Sequence, residues 1–530
     1  MIDAVLVGAL LCVAGPLLDR VLRQMKLRGR GRAWTDLRGV SFGAGALAVV
    51  TSRVGWSDLS FGYPLPVGML LIVFGLTWKA VSDDFDLGLP DEPGGPRAPE
   101  RGLLVATAAA ALVWPSALFV WLTLLLHVFG GWKHHTFVPL RIIYVLLAGL
   151  GVAAPLAGSV LSPEAMEGGL WLASATMLSS HYLVAALAKA ELGSSPWEWA
   201  KSNRLHMLVG SSWAWGWRGR RDWAAARGLM RRLEPLDVPL QIGTFLLELA
   251  APLVVLHPLL CFALLGALVA MHLTIFFTAG ILFWEWILAC VAFATWTGGV
   301  LAAGLSLPFG LLPALACLAI IAVGPAKKRL WHPAWLGWWD TPFIQRVDWV
   351  VTAESGARYG LYNDFMSPHE GEYGRAFGWF LVPHRICTYH LGEVWDAELR
   401  DMLWEAREDR SLLEQAKLKH GTVYLDEAET RAHLDYLELL FVRFNEGRKK
   451  HVLPAAVAWA KAPGAQYYYW GDLPAFRGQE RVAAIEIFYR EALVTETGPE
   501  RTLYERLHRI ELGATATPDT SEDGVAEPAT

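Results

Sequence analysis

Charge is scarce in this chain. Only 18% of its 530 residues are Asp, Glu, Lys or Arg, whereas 54% are hydrophobic; a soluble domain carries roughly a quarter charged residues. The shortfall lies before residue 325, where long apolar runs recur, and this is the pattern of a polytopic membrane protein with a soluble appendage. Cysteine is scarce too. The five, Cys12, Cys261, Cys290, Cys317 and Cys387, include no pair at metal-ligand spacing, and four sit in apolar runs. A disulfide framework and a zinc site are excluded, and no metal is expected. No phosphate-binding glycine loop, no G-x-S-x-G nucleophile elbow and no H-E-x-x-H helix occurs. With a net charge of −5 and no large basic domain, nucleic acid is not a partner. The N-terminus has Asp3 where a signal peptide carries positive charge, and it has no small-x-small cleavage site, so it reads as an uncleaved first span.

What is present is a series of apolar runs of membrane-crossing length: 3–18, 39–57, 62–81, 102–127, 137–158, 169–190, 240–257, 258–282, 283–304 and 308–325. The near-continuous stretch 258–304 divides at Gly280–Trp284. Basic clusters follow the first run (Arg20 to Arg32), fill the 191–239 loop (Arg218 to Arg232) and follow the last run (Lys327-Lys328-Arg329). All three belong on the cytoplasmic side of a bacterial-type plasma membrane. Four runs between the second and third clusters satisfy this; five between the first and second do not, so one of the five, 39–57, is expected to be re-entrant. About nine spans remain. Tryptophans at 197, 199, 213, 215, 217 and 223 place the 191–239 loop along the lipid surface.

The fold class is therefore mainly α: a transmembrane helix bundle over 1–325, with an acidic Pro/Gly connector at 82–101, then a soluble α+β domain over 330–512 and a disordered tail, 513–530. Within the soluble part, 331–381 holds short β-prone runs, and 394–419, 426–446 and 483–511 have helical character.

Ionisable groups inside apolar runs are costly and mark candidate sites. Lys189 stands where one run gives out, eight residues after His181. Eight residues return to within roughly 80° on a helix, about 12 Å further along, so the two can face one cavity. Desolvation gives a lysine base character; a snorkelling anchor is the plainer role for that spacing. His272 lies mid-run with Thr274 and Thr278 near it and Glu285 between two tryptophans. Glu248 lies well inside F-L-L-E-L-A-A-P-L. His134-His135 occupy a short loop at a span mouth. Structural pairing within the bundle is the alternative for His272 and Glu248, and for His134-His135 the alternative is a pair of exposed polar loop residues. Tyr362, Asp364, His369 and Glu370 form a polar cluster in the soluble part.

The segment Y-L-V-A-A-L-A-K-A-E-L-G-S-S-P-W-E-W, with Tyr182, Lys189 and Trp197, resembles the Tyr–Lys–Trp block of the vitamin K-dependent γ-carboxylase superfamily, which includes the bacterial horizontally transferred transmembrane (HTTM) domain proteins. The block A-M-H-L-T-I-F-F-T-A-G-I-L-F-W-E-W, with His272, Gly280 and Phe283-Trp284, resembles a second family block, and T-F-L-L-E-L-A-A-P-L, with Glu248, a third. K-H-H-T-F resembles the family's His-bearing loop. The likeness covers roughly 100–280. It implies that Lys189 deprotonates a reduced quinone of the vitamin K or menaquinone type, with oxygen addition giving an epoxide and a strong base. It implies catalytic roles for His272, Glu248 and His134 or His135, and places His181, Tyr182 and Trp197 at the substrate. The chain departs from the carboxylases at Ala190-Glu191, where they carry a second lysine, and at Leu273-Thr274, where they carry Met-Asn. Quinone or lipid chemistry fits these departures better than protein carboxylation. The alternative is a non-enzymatic transporter or assembly scaffold.

Overall fold

The computed structural model describes residues 1–27, 64–82, 98–128, 138–153, 162–214, 217, 223–361, 379–380, 392–423, 427–447, 460, 462, 473–494 and 501–512. The 39–57 run, the His134-His135 loop, Cys387, the Tyr362–Glu370 cluster, most of the 82–101 connector and the 513–530 tail lie outside them.

The first part is helical: α1 (Ile2–Leu27), α2 (Pro64–Ser82), α3 (Ala98–Ala110), α4 (Ala117–Val128), α5 (Val138–Ala148), α6 (Pro163–Ala190), α7 (Glu198–Ser202), α8 (Leu205–Ala214), α9 (Trp223–Leu233), α10 (Asp237–Ala250), α11 (Pro258–Ala279), α12 (Trp284–Ala302) and α13 (Leu311–Val323). Four helical stretches are long and apolar enough to cross a membrane: α6, the continuous Trp223–Val255, α11 and α12. Shorter apolar helices surround them, and α1, α2, α11 and α13 turn large hydrophobic side chains such as Leu6, Phe74, Phe277 and Leu315 outward.

Central to the bundle is α6. Ser162 caps it by accepting from the Ala165 amide, and Pro163 takes the first helical position, where no N–H is needed. Nearly all of its residues are buried. It packs against α1, α5, α10 and α13. Contacts fix the directions. Ala4 meets Gly168 and Cys12 points at the Ala173 carbonyl, so α1 runs parallel to α6. Trp171 bonds Thr297 and Tyr182 contacts Cys290, so α12 runs antiparallel. The C-terminal ends of α1, α6 and α13 thus share one end of the bundle. Arg20 and Lys327-Lys328-Arg329 lie there, and the Arg20 guanidinium donates to the Leu330 carbonyl.

The 102–127 run is not one crossing. It folds as a hairpin, α3 then α4, tied to α2 at both legs by Arg101 Nη1 to the Val81 carbonyl (3.0 Å) and Trp121 Nε1 to Thr77 Oγ1 (2.8 Å). Pro115 is the physical reason, because it disfavours helix at the residue before it. At about 1.5 Å per residue α3 is roughly 20 Å long, short of a hydrocarbon core of about 30 Å.

The division at 280 occurs as expected. Gly280 ends α11 with φ 68°, and its amide donates to Phe276. A Cβ there would also strike the Trp217 ring.

Beyond 338 come the strands: β1 (Trp339–Asp340), β2 (Phe343–Ala353), β3 (Arg358–Gly360), β4 (Trp379–Phe380), β5 (Glu393–Val394), β6 (Thr422–Val423), β7 (Val482–Leu493) and β8 (Arg501–Glu511). The four-stranded sheet has the order β3-β2-β7-β8, with every neighbouring pair antiparallel; β1–β5 and β4–β6 are short ribbons. Helices α14 (Ala397–Glu405), α15 (Arg410–His420) and α16 (Glu427–Asn445) complete it. The helical expectation for 483–511 is wrong. That segment is the β7–β8 hairpin. Ala484, Ile485, Glu486 and Ile487 of β7 are buried in succession, which erases the alternation that marks a half-buried strand. Its Ile485, Ile487, Phe488 and Tyr489 suit a strand, and eleven paired positions with β2 decide the matter. Met207, Leu208 and Trp213 of α8 pack in one cluster with Ile344, Trp349, Ile485 and Ile487 of the sheet.

Candidate functional site

Among the buried polar contacts of the second half of α6, three involve its ionisable side chains, Lys189, Tyr182 and His181. Lys189 Nζ donates to Glu248 Oε1 (2.9 Å) and Oε2 (2.8 Å) on α10 and to the Leu336 carbonyl (3.0 Å). An ammonium has three N–H groups, and all three are used. Lys189 is 8% and Glu248 6% exposed. This is a buried ion pair, not a snorkelling anchor. The Trp199 ring lies 5.3 Å from Nζ and adds a cation–π contact.

About two helical turns earlier, Tyr182 OH meets His272 Nε2 at 3.0 Å and Cys290 Sγ at 3.4 Å, joining α6 to α11 and α12. Aromatic rings enclose this group. Trp286 is 5.0 Å from Tyr182 and 5.7 Å from His272, and Phe283 is 5.1 Å from His272, centroid to centroid. His272 Nδ1 is buried with no hydrogen-bond partner.

His181 turns the other way. Arg141 Nη1 on α5 lies 2.6 Å from His181 Nε2, and Nδ1 lies 2.8 Å from the Met177 carbonyl. A guanidinium only donates and a carbonyl only accepts. The imidazole is therefore the Nδ1–H tautomer, with Nε2 accepting. The residue sharing the Lys189 face is Tyr182, since seven residues return to within about 20° on a helix and eight do not.

A strap, residues 331–338, is laced across these groups. Trp331 Nε1 donates to Ser180 Oγ (2.8 Å), Arg141 Nη2 to the His332 carbonyl (2.6 Å) and Trp199 Nε1 to the Trp338 carbonyl (2.8 Å). At Gly337 the strap approaches so closely that a Cβ would overlap the Ala188 carbonyl carbon and oxygen. Only glycine fits there, and the fit brings Leu336 within reach of Lys189.

Of the residues singled out from sequence, the structure brings together Lys189 with Glu248 and Tyr182 with His272. It sends His181 to Arg141 and places Trp197 against Phe245 at 5.2 Å, half-exposed; Trp199 is the tryptophan over the lysine. Thr274 and Thr278 bond their own helix at Ala270 and Thr274. Glu191 is exposed at the end of α6. Sequence reading missed Arg141, Cys290, Trp286 and the strap. Arg141 carried a visible signal, a cation inside V-P-L-R-I-I-Y-V-L-L-A; the strap carried none.

A Tyr182→Phe substitution is expected to lower stability by about 1–3 kcal/mol, because it leaves His272 Nε2 buried without its partner. Thermal unfolding of the detergent-solubilised protein measures this, and an unchanged midpoint would show that the contact is not maintained.

No known protein family, no curated protein and no solved structure matches this chain.

Proposed function

We propose that the chain is an integral membrane protein, its C-terminal segment cytoplasmic, that uses Lys189 and Glu248 to move a proton at a lipid-soluble substrate of the reduced-quinone type. The observation that carries this reading is the buried Lys189–Glu248 pair beside Tyr182 and His272. The clustered basic residues at one end of the bundle support the orientation. The likeness of three sequence blocks to the carboxylase-like and HTTM proteins supports the substrate class, and a quinone-linked lyase or oxygenase is the enzyme class it suggests.

The residues fit an aromatic ring bearing a hydroxyl: Trp286 and Phe283 offer flat apolar faces, and His272 Nδ1 is a buried polar atom without a partner. When bound, a reduced quinone supplies an acidic hydroxyl. In the resting geometry Lys189 is a donor, with no lone pair to offer. Passing one proton to Glu248 yields a neutral amine and a neutral acid, a step favoured where water is excluded. The amine then accepts the hydroxyl proton and Lys189 is an ammonium again. Tyr182 and His272 orient the ring, and the strap keeps water from Nζ.

The test supplies purified protein with reduced menaquinone and oxygen and measures epoxide. Lys189→Arg and Glu248→Gln are expected to lower turnover at least 100-fold while a folding midpoint is still observed. Equal turnover in wild type and variants removes both residues from the chemistry.

A transporter or assembly scaffold is the second reading. Helices broken inside apolar runs, the α3–α4 hairpin and the π turn at Gly149–Ala153, favour it. Substrate flux in proteoliposomes without chemical change would select it.

A further inference from the structure

A second feature lies apart from Lys189, at the basic end of the bundle. There α7, α8 and α9 face α14 across a cavity of about 590 Å³. Its lining includes six cations, Lys201, Arg204, Arg227, Arg231, Arg400 and Arg407, against two acids, Glu234 and Asp401. Like charges gathered around one hollow repel, and the assembly is relieved by an anion.

Two of the cations, Arg400 and Arg407, are held in place by aromatic rings. Arg400 stacks on the Trp339 ring at 4.3 Å and donates to Asp401 through Nε (2.7 Å) and Nη2 (3.1 Å). Its Nη1 is buried and has no hydrogen-bond partner. A guanidinium N–H withdrawn from water and left unmatched is costly, and an oxyanion oxygen satisfies it. Arg407 stacks on Trp404 at 5.3 Å. The opposite wall is α9, W-A-A-A-R-G-L-M-R-R-L, where Arg227 and Arg231 are four residues apart and share one face. Trp223 and Met230 line the hollow beside them, so it pairs a cationic rim with an apolar flank.

We propose that this cavity binds a phosphate-bearing anion, a mono- or diester group held by the arginines of α9 and α14. Arginine suits that group because its planar fork matches two phosphate oxygens. Two sources share the chemistry: an anionic phospholipid headgroup at the surface of the bilayer, and a soluble phosphate compound. The inference rests on charge and shape around α9 and α14 and stands whether or not Lys189 is a base.

The test uses the full-length protein in detergent with two probes. Inorganic phosphate is titrated calorimetrically, and phosphatidylglycerol is offered against phosphatidylcholine with retention read by native mass spectrometry. Two variants are compared with wild type. Arg204→Gln with Arg231→Gln removes exposed lining charges that make no ion pair among the described residues, so the fold is preserved. Arg400→Gln removes the buried Nη1. Arg481→Gln, paired with Glu354 on the surface, is the control. Each lining variant is expected to weaken binding at least tenfold, the control to leave it unchanged, and wild-type affinity to fall as salt is raised. Preferential retention of phosphatidylglycerol identifies a headgroup site; phosphate binding without lipid preference identifies a soluble ligand. Failure of wild type to bind either probe, or equal binding by the lining variants, overturns the proposal.

Discussion

Lys189→Met is expected to destabilise the folded protein by roughly 3–5 kcal/mol, because it leaves the Glu248 carboxylate buried without its counter-charge. Glu248→Leu is expected to do comparable damage from the other side, stranding the ammonium among Trp199, Ala188 and the Leu336 carbonyl. The double variant Lys189→Met/Glu248→Leu should recover most of the loss, since an apolar pair of similar volume needs no desolvation. Thermal midpoints of the four proteins in one detergent close the cycle. Additive losses would show that the two side chains do not interact. The result also separates two roles that coincide in space. A pair kept only for stability can be replaced by hydrocarbon without consequence. A pair kept for chemistry leaves a stable double variant that is inert.

A second large effect is expected with pH. Asp340 on β1 is buried, and its ordinary carboxyl value of 3.8 is pushed up to about 7, chiefly by loss of solvent, with Asn203 hydrogen bonds pulling the other way. Glu393, its cross-strand neighbour on β5, is pushed up to about 8 by desolvation and then by Asp340. The folded state therefore holds protons that the unfolded chain has released. The contribution of these two groups to stability is greatest below about 4 and falls as pH rises toward 7 and 8. A shift of about three units for Asp340 corresponds to roughly 4 kcal/mol at most. Hydrogen-exchange protection factors across β1 and β5, corrected for the intrinsic rise of exchange with pH, should fall between pH 5 and 9, and Asp340→Asn should flatten that trend. A variant as pH-sensitive as wild type would mean that another group is responsible. The ribbon matters because Thr341 bonds Gly392 through both its amide and its hydroxyl, and because β1 continues directly from the strap over Lys189.

The helical bundle was legible where apolar length and a glycine stop coincide, as at the α11–α12 division. It was illegible where length alone misled. Residues 102–127 are apolar throughout, yet Pro115 makes them a hairpin, and weighing that one residue above the run would have found it. The β7–β8 hairpin was hidden because pairing with β2, more than a hundred residues away, sets its conformation. The site was half legible. Lys189, Glu248, Tyr182 and His272 each stand out as polar groups among apolar ones, but nothing in the spacing joins Lys189 to a residue 59 positions on. His181 stood out for the same reason and faces elsewhere, because a single step along a helix turns a side chain by about 100°.

The enclosure of α6 bears on how the protein is put together. A helix with Glu167, Ser174, Thr176, Ser179, Ser180, His181 and Lys189 inside it, all buried by protein, has a poor claim on lipid by itself. Its neighbours α11 and α12 show hydrocarbon to the outside and can settle in a bilayer first. On that order of assembly, α6 is buried only once α1, α5 and α10 are at hand to receive its polar groups, and the helix that carries the Lys189–Glu248 pair is among the last to be sealed from water.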